Sequence, residues 1–356
     1  MKKIVFFLFC LGYVVALLQC YRIENSDDEI FPPEAWDYSK VAFIARVSLS
    51  NNSAPWFLFT VDNTGNNVRQ IAGITTTCSK PVCSRSGEKL LFSTLTDDYK
   101  YKLYVTDTDG SELILIDSAD VYCGNADWSP DDKYIVYVKC SDPYWNNSDL
   151  ILYNISDKTH TVLQNDGKAS SPKFSPNGKQ IAYCKSNEVY KMDINGNNNQ
   201  LVISNASCPN WSPQGDKIVY LSSGADMSSQ IFVADADGSG QKQLTSSVSP
   251  GWWDSGFPRD GNEDPQWTPD GKKIVYVSWE NTKPEIFIMN VDGSNKIRLT
   301  TAEFRDENPQ VTPEGHSILY SSRRSDMING GICIMALDGS NQKALVKEGI
   351  YPVACK

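Results

Sequence analysis

The sequence predicts an all-β fold, a seven-bladed β-propeller of four-stranded blades. Three observations carry this reading: a unit repeated at near-constant spacing, a hairpin pattern after each copy, and two chain ends that complement one another. The unit is clearest at Pro265, "PQWTPDGKKIVYV". The other copies are "PVCSRSGEKLLFS" from Pro81, "ADWSPDDKYIVYV" from Ala126, "PKFSPNGKQIAYC" from Pro172, "PNWSPQGDKIVYL" from Pro209 and "PQVTPEGHSILYS" from Pro309. Successive copies start 45, 46, 37, 56 and 44 residues apart. That period, with several short strands per unit, is what a propeller blade requires.

Each unit reads as four strands, a to d. Strand a carries P-x-W, and a proline at its start fits an edge strand, where a missing N–H breaks no ladder bond. Strand b carries I-x-Y. Strands c and d form the second pattern, as in "QIFVADADGSGQKQLT" and "EIFIMNVDGSNKIRLT"; "DLILYNISDKTHTVL" is a weaker version. D-G and N-G between alternating strands favour tight hairpins. Trp128, Phe174, Trp211 and Trp267 on strand a, with Tyr137, Tyr183, Tyr220 and Tyr276 on strand b, are expected to pack blade against blade, since large rings are usually core.

The ends set the count. "VAFIAR" from Val41 and "WFLFTVDNTGNNVRQIAG" from Trp56 supply strands b, c and d with no strand a. The chain finishes with "YPVACK", a strand a with nothing after it, and Pro352 lies 43 residues beyond Pro309. The C-terminal strand should therefore complete the first blade. The count is seven, with six blades as the alternative, in one domain spanning 40–356. No single unit buries both faces of its sheet, and a closed ring of them does.

The "WSPDGKxIxY…DGS" unit resembles the repeat of the TolB-type β-propeller superfamily (WD40-like, PD40 repeats), over essentially all of the chain after residue 40. The resemblance implies an exported propeller that binds protein partners at the cell envelope. TolB itself has six blades and an N-terminal α/β domain, whereas this sequence shows seven blades and no room for such a domain. Seven-bladed relatives with similar repeats include oligogalacturonate lyases and the propeller domains of prolyl-oligopeptidase-type peptidases.

Residues 1–20 read as a signal peptide, because Lys2 and Lys3 precede an uncharged run from Ile4 to Gln19. Leu17-Leu18-Gln19-Cys20 resembles a lipobox with Gln19 in place of the usual small residue, which makes Cys20 a candidate for lipidation. Residues 21–39 are polar and acidic, like a tether. The expected location is outside the cytoplasm: periplasmic, on the cell surface as a lipoprotein, or extracellular. The net charge is −10, which argues against nucleic acid and anionic membrane surfaces as partners. Membrane contact is expected only through an N-terminal anchor, and a monomer is the expected state.

Eight of the ten cysteines follow residue 20, and an even number in an exported chain points to disulfides. A two-residue turn at Asp131-Asp132 would set Cys123 opposite Cys140 across the a–b hairpin, within bonding reach. Cys184 and Cys208, at the end of one strand b and the start of the next strand a, are a weaker second pair.

Propeller topology puts the short a–b and c–d turns on one face and the variable b–c and d–a connections on the other, where sites usually sit. The longest connection is "SSVSPGWWDSGFPRDGN" from Ser246. It brings Trp252 and Trp253 to that face, together with Tyr144, Trp145, Trp279 and Glu280. Aromatic rings beside carboxylates can stack on a glycan or grip a peptide, and Arg259, Arg305 and Arg323 would add charge. Asp260, Glu263, Asp264, Asp306 and Glu307 could ring the channel mouth and hold a divalent cation through oxygen, although solvated ion pairs are the commoner outcome. No resident cofactor is expected.

The two histidines, His160 and His316, fall on the short-turn face, and no G-x-S-x-G occurs. Three readings follow, in order. The first is a non-catalytic exported scaffold for an envelope protein. The second is a glycan- or peptide-binding propeller. The third is a propeller hydrolase or lyase.

Overall fold

In the computed structural model the described residues are 40–46, 55–71, 76–96, 98–140, 142, 147–165, 167–223, 228–246, 261–280, 283–301, 303–325, 327 and 330–355, with the backbone of 253–254 and 257–258. The signal peptide, the lipidation candidate Cys20 and the tether lie outside them, as do Tyr144, Trp145, Trp252, Arg259 and Asp260. Among the described residues there is no helix, and none therefore that could cross a membrane.

Seven antiparallel sheets follow one another along the chain, each ordered a-b-c-d, as the repeat predicts. Blade 2 has strands Lys89–Leu95, Tyr101–Asp107 and Leu113–Ala119, with a strand a broken into Thr77–Cys78 and Val82–Cys83. Blades 3 to 7 begin their strands a at Tyr122, Ala169, Ser207, Asn262 and Asp306. Blade 1 is assembled from both ends: Ile350–Cys355 pairs with Lys40–Arg46, followed by Trp56–Asp62 and Arg69–Gln70. The C-terminal strand closes the ring.

The core lies between blades. Seven apolar clusters each join two consecutive blades, and one of them packs Phe43 and Phe59 of blade 1 against Leu319 and Ile332 of blade 7. Trp128, Phe174, Trp211 and Trp267 are buried, as are Tyr137, Tyr183, Tyr220 and Tyr276. The tryptophans also hydrogen-bond across the seams. Trp128, Trp211 and Trp267 donate their indole N–H to the carbonyls of Val82, Lys173 and Asn210, each on strand a of the preceding blade, at 3.3, 3.2 and 3.1 Å.

The S-P-D-G turn gains its meaning at the same seams. A Cβ at Gly315 would meet Pro269 Cδ at 3.1 Å, and Gly315 also holds a φ of +78°. The glycine of one blade thus lets the proline of the preceding blade seat against it.

Two expectations are corrected. The motif proline does not begin strand a; it lies inside it, within a β-bulge. The a–b register slips between Ser170 and Lys173, Ser207 and Asn210, Glu263 and Gln266, and Glu307 and Gln310, skipping each time the proline and the residue before it. A residue without an N–H is at home where the ladder is interrupted.

The same bulge undoes the predicted Cys123–Cys140 disulfide. Asp127 still faces Val136, but beyond the bulge Cys123 faces Lys139 and Cys140 faces Tyr122. Both are free thiols, and so are Cys184 and Cys208. Among the described residues the disulfide that forms joins Cys83 to Cys355, with Cα atoms 5.8 Å apart.

Candidate functional site: a collar around the channel

Strand a is the inner edge of each blade, so its bulge turns one residue per blade toward the channel. These residues are Asn125, Ser171, Cys208, Asp264, Asn308 and Tyr351, with φ of +47°, +49°, +51°, +49°, +56° and +55°. Lys80 occupies the same place in blade 2, directly before Pro81 in the gap between the two halves of strand a. Seven side chains therefore form a collar, and none of them is buried.

Left-handed backbone at a non-glycine residue is costly. Here the repeated bulge imposes it. Blade 2 reaches the same place without left-handed backbone, since neither Ser79 nor Lys80 holds a positive φ; there the Ser79 N–H donates to Ser93 O at 2.8 Å, while its Oγ accepts from Ser93 N and Ser93 Oγ, each at 3.0 Å. That anchoring leaves the adjacent Lys80 to project.

The collar is chemically mixed. It offers an amine, a carboxylate, a thiol, a phenol, a hydroxyl and two amides. Burial holds Lys80 below the usual lysine range, opposed by the negative charge of Asp264 and reinforced by Lys173. Cys208 opens on the channel, yet the walls deprive its thiol of bulk water and push its pKa up, with Asp264 adding to the effect. Two residues beyond Asn125 on strand a, Asp127 accepts from Phe174 N at 2.9 Å and lies 3.7 Å from Arg85 and 3.8 Å from Lys173.

The residues expected to act at the loop face divide. Trp279 is buried, with the Arg305 guanidinium 5.1 Å above its ring, so that face of the indole is already covered. Arg305 also pairs with Glu307 at 3.2 Å, and its carbonyl accepts from Arg323 N at 3.0 Å. Glu280 and Arg323 are exposed. Trp253 lies in a short hairpin, Trp253–Asp254 against Phe257–Pro258, in the long connection.

The described acids do not converge. Among the described residues no three His, Cys, Asp or Glu side chains are placed to hold a metal ion. Asp264 belongs to the collar, Glu307 is held by Arg305, and Asp306 turns into the joint between blades 6 and 7, where it is 4% exposed.

That joint has a counterpart one blade earlier. There Gln230 Oε1 accepts from Thr245 Oγ1 at 2.8 Å and Asn262 Nδ2 at 3.0 Å, and Ile231 N donates to Thr245 Oγ1 at 2.9 Å. In the later joint Ile286 N donates to Thr300 Oγ1 at 3.0 Å, but Glu285 and Asp306 replace the two amides. Burial raises the Asp306 pKa, partly offset by the Ser322 and Thr300 hydroxyls and by Arg324.

Sequence reasoning missed the collar. A signal was present: within a frame that repeats Pro, Trp, Pro and Gly, the residue before the first proline changes in nearly every copy (Lys80, Ser171, Cys208, Asp264, Asn308, Tyr351).

With this geometry the family can be assigned. The model of the TolB beta propeller domain matches residues 93–351, most of the chain. The chain belongs to that family. TolB beta propeller relatives include the Tol-Pal system protein TolB of Hahella chejuensis, 34% identical over 79 residues, which are 22% of this chain and 16% of that protein. TolB of Francisella tularensis subsp. mediasiatica is 29% identical over 189 residues, 50% of this chain and 40% of that one. The chain thus spans well under half the length of these relatives. Among solved structures, TolB from Acinetobacter baumannii superposes with a TM-score of 0.55 at 18% identity, covering 94% of this chain and 88% of that one. The propeller domain of the Trilobed protease from Pyrococcus furiosus superposes with a TM-score of 0.65 at 13% identity, covering 86% and 92%. At such identities these likenesses speak for the fold alone.

Proposed function

We propose that this protein is a non-catalytic, exported scaffold that binds a protein partner at the cell envelope, over the loop-face mouth of the channel. The observation that carries the reading is the collar: a rigid ring presents one variable polar side chain per blade at one level, which suits recognition of a polypeptide segment. Family membership and the Tol-Pal relatives supply the partner class. The Cys83–Cys355 bond supports an oxidising compartment, with residues 1–20 as the export signal. Periplasmic residence, with or without a lipid on Cys20, fits this role, and the propeller acts as a monomer.

Photocrosslinking amino acids placed in the native host at Asn125, Asn308, Glu280 and Arg323 test the docking face, with Lys133 and Lys272 on the opposite face as controls. A discrete protein adduct from the first group alone is expected. Adducts from both groups, or from neither, overturn the reading.

A further inference from the structure

Resting on that scaffold reading, we infer that the channel anchors a carboxylate of the bound polypeptide, an acidic side chain or a C-terminus, on the Lys80 ammonium. Lys80 is half-buried, and its ammonium makes no hydrogen bond or ion pair among the described residues. Every other collar position except Asp264 can donate a proton to an anionic oxygen: Asn125, Ser171, Cys208, Asn308 and Tyr351. Lys173, on the neighbouring tier, adds a second ammonium. Asp127 is already shared between Arg85 and Lys173, so Asp264 is the acid left facing Lys80.

Arg85 and Lys173 are thus committed to Asp127, while Lys80 stands opposite Asp264, which has Glu263 beside it on the same strand. A desolvated ammonium with an acid facing it but no hydrogen bond is still under-satisfied, and a carboxylate with its charge-assisted hydrogen bonds relieves it. The occupant is taken to be a chain because the collar is reached through the mouth at which the partner docks.

Limited acetylation read by mass spectrometry tests this on the full-length mature protein. The probes are a glutamate-rich hexapeptide with a free C-terminus, its neutral amidated glutamine analogue, and inorganic phosphate. Lys80 is expected to acetylate faster than Lys272 at neutral pH, and the acidic peptide should slow it several-fold while leaving Lys272 unchanged. Calorimetry with Lys80→Met should show peptide binding weakened by about tenfold or more, the loss of one charge-assisted contact, with Lys80→Arg retaining it and all melting curves unchanged. Equal effects of the acidic and neutral peptides, or no protection by any probe, overturn the inference. Protection by phosphate alone assigns Lys80 to a free anion and overturns the polypeptide carboxylate. If loop-face crosslinks persist unaltered in Lys80→Met, the anchor fails and the scaffold stands. If the acidic peptide protects Lys80 but no partner crosslinks, the anion site stands and the scaffold fails.

Discussion

Cys83 and Cys355 are bonded across a sequence separation of 272 residues. One belongs to strand a of blade 2 and the other to the strand that closes blade 1, so the bond ties the closure to the next blade. The expected result for Cys83→Ala/Cys355→Ala is a loss of about 2–5 kcal/mol, the usual range for removing a native disulfide from a folded domain. Denaturant unfolding with and without reductant measures it. A wild-type midpoint indifferent to reductant would show that the ring closes without help from the bond.

Tyr276 lacks the partner its counterparts have. In blades 4, 5 and 7 the strand-b tyrosine hydroxyl meets an amide near the start of strand d: Tyr183 with Asn199, Tyr220 with Gln241 and Tyr320 with Gln342, at 2.9, 3.4 and 3.4 Å. In blade 3 it meets His160 Nδ1 at 3.0 Å. In blade 6 the matching residue is Lys296, and the buried Tyr276 hydroxyl has no hydrogen bond among the described residues. Lys296→Gln should raise stability by about 1 kcal/mol, the net value of one hydrogen bond. A midpoint unchanged or lowered in thermal unfolding would refute it.

Asp306 should make stability depend on pH. Its folded pKa is raised above the unfolded value, because burial disfavours the carboxylate. The stability it allows is fully present below the unfolded aspartate pKa, about 3.9, and is lost as pH rises through the raised folded value. Asp306→Asn, which copies Asn262 of the preceding joint, should match wild type in acid and exceed it near neutrality. Parallel melting curves across that range would dismiss this account.

Trp211 tests the seams. Trp211→Phe keeps an aromatic ring at the seam but trims the indole and removes the hydrogen bond to Lys173 O, the latter at an expected cost of about 1 kcal/mol. Phe174, which naturally lacks that donor, marks the seam where Phe174→Trp is the natural comparison. A cost above about 3 kcal/mol, the scale of core cavities rather than hydrogen bonds, would mean that packing dominates the seam.

Much of this was legible from residues near one another in sequence. The repeat period, the D-G hairpins and the unmatched ends are local patterns, and they determined the blade count, the strand order, the closing role of Ile350–Cys355 and the burial of Trp128 and Tyr137. The collar was only half legible: its variable position shows in the repeat, but not the direction it faces.

The tertiary structure decided whatever depends on register across strands. A bulge in strand a sets Cys123 against Lys139, turns Asn125 and its five left-handed counterparts toward the channel, and places the motif proline inside the strand. Closing the ring brought Cys355 to Cys83, and the blade 6–7 joint took Asp306 out of the channel mouth. The physical reason is that side chains alternate with a period of two, so one extra residue reverses every face beyond it. The amino-acid sequence by itself determined the ring; the bulges decided what the ring presents.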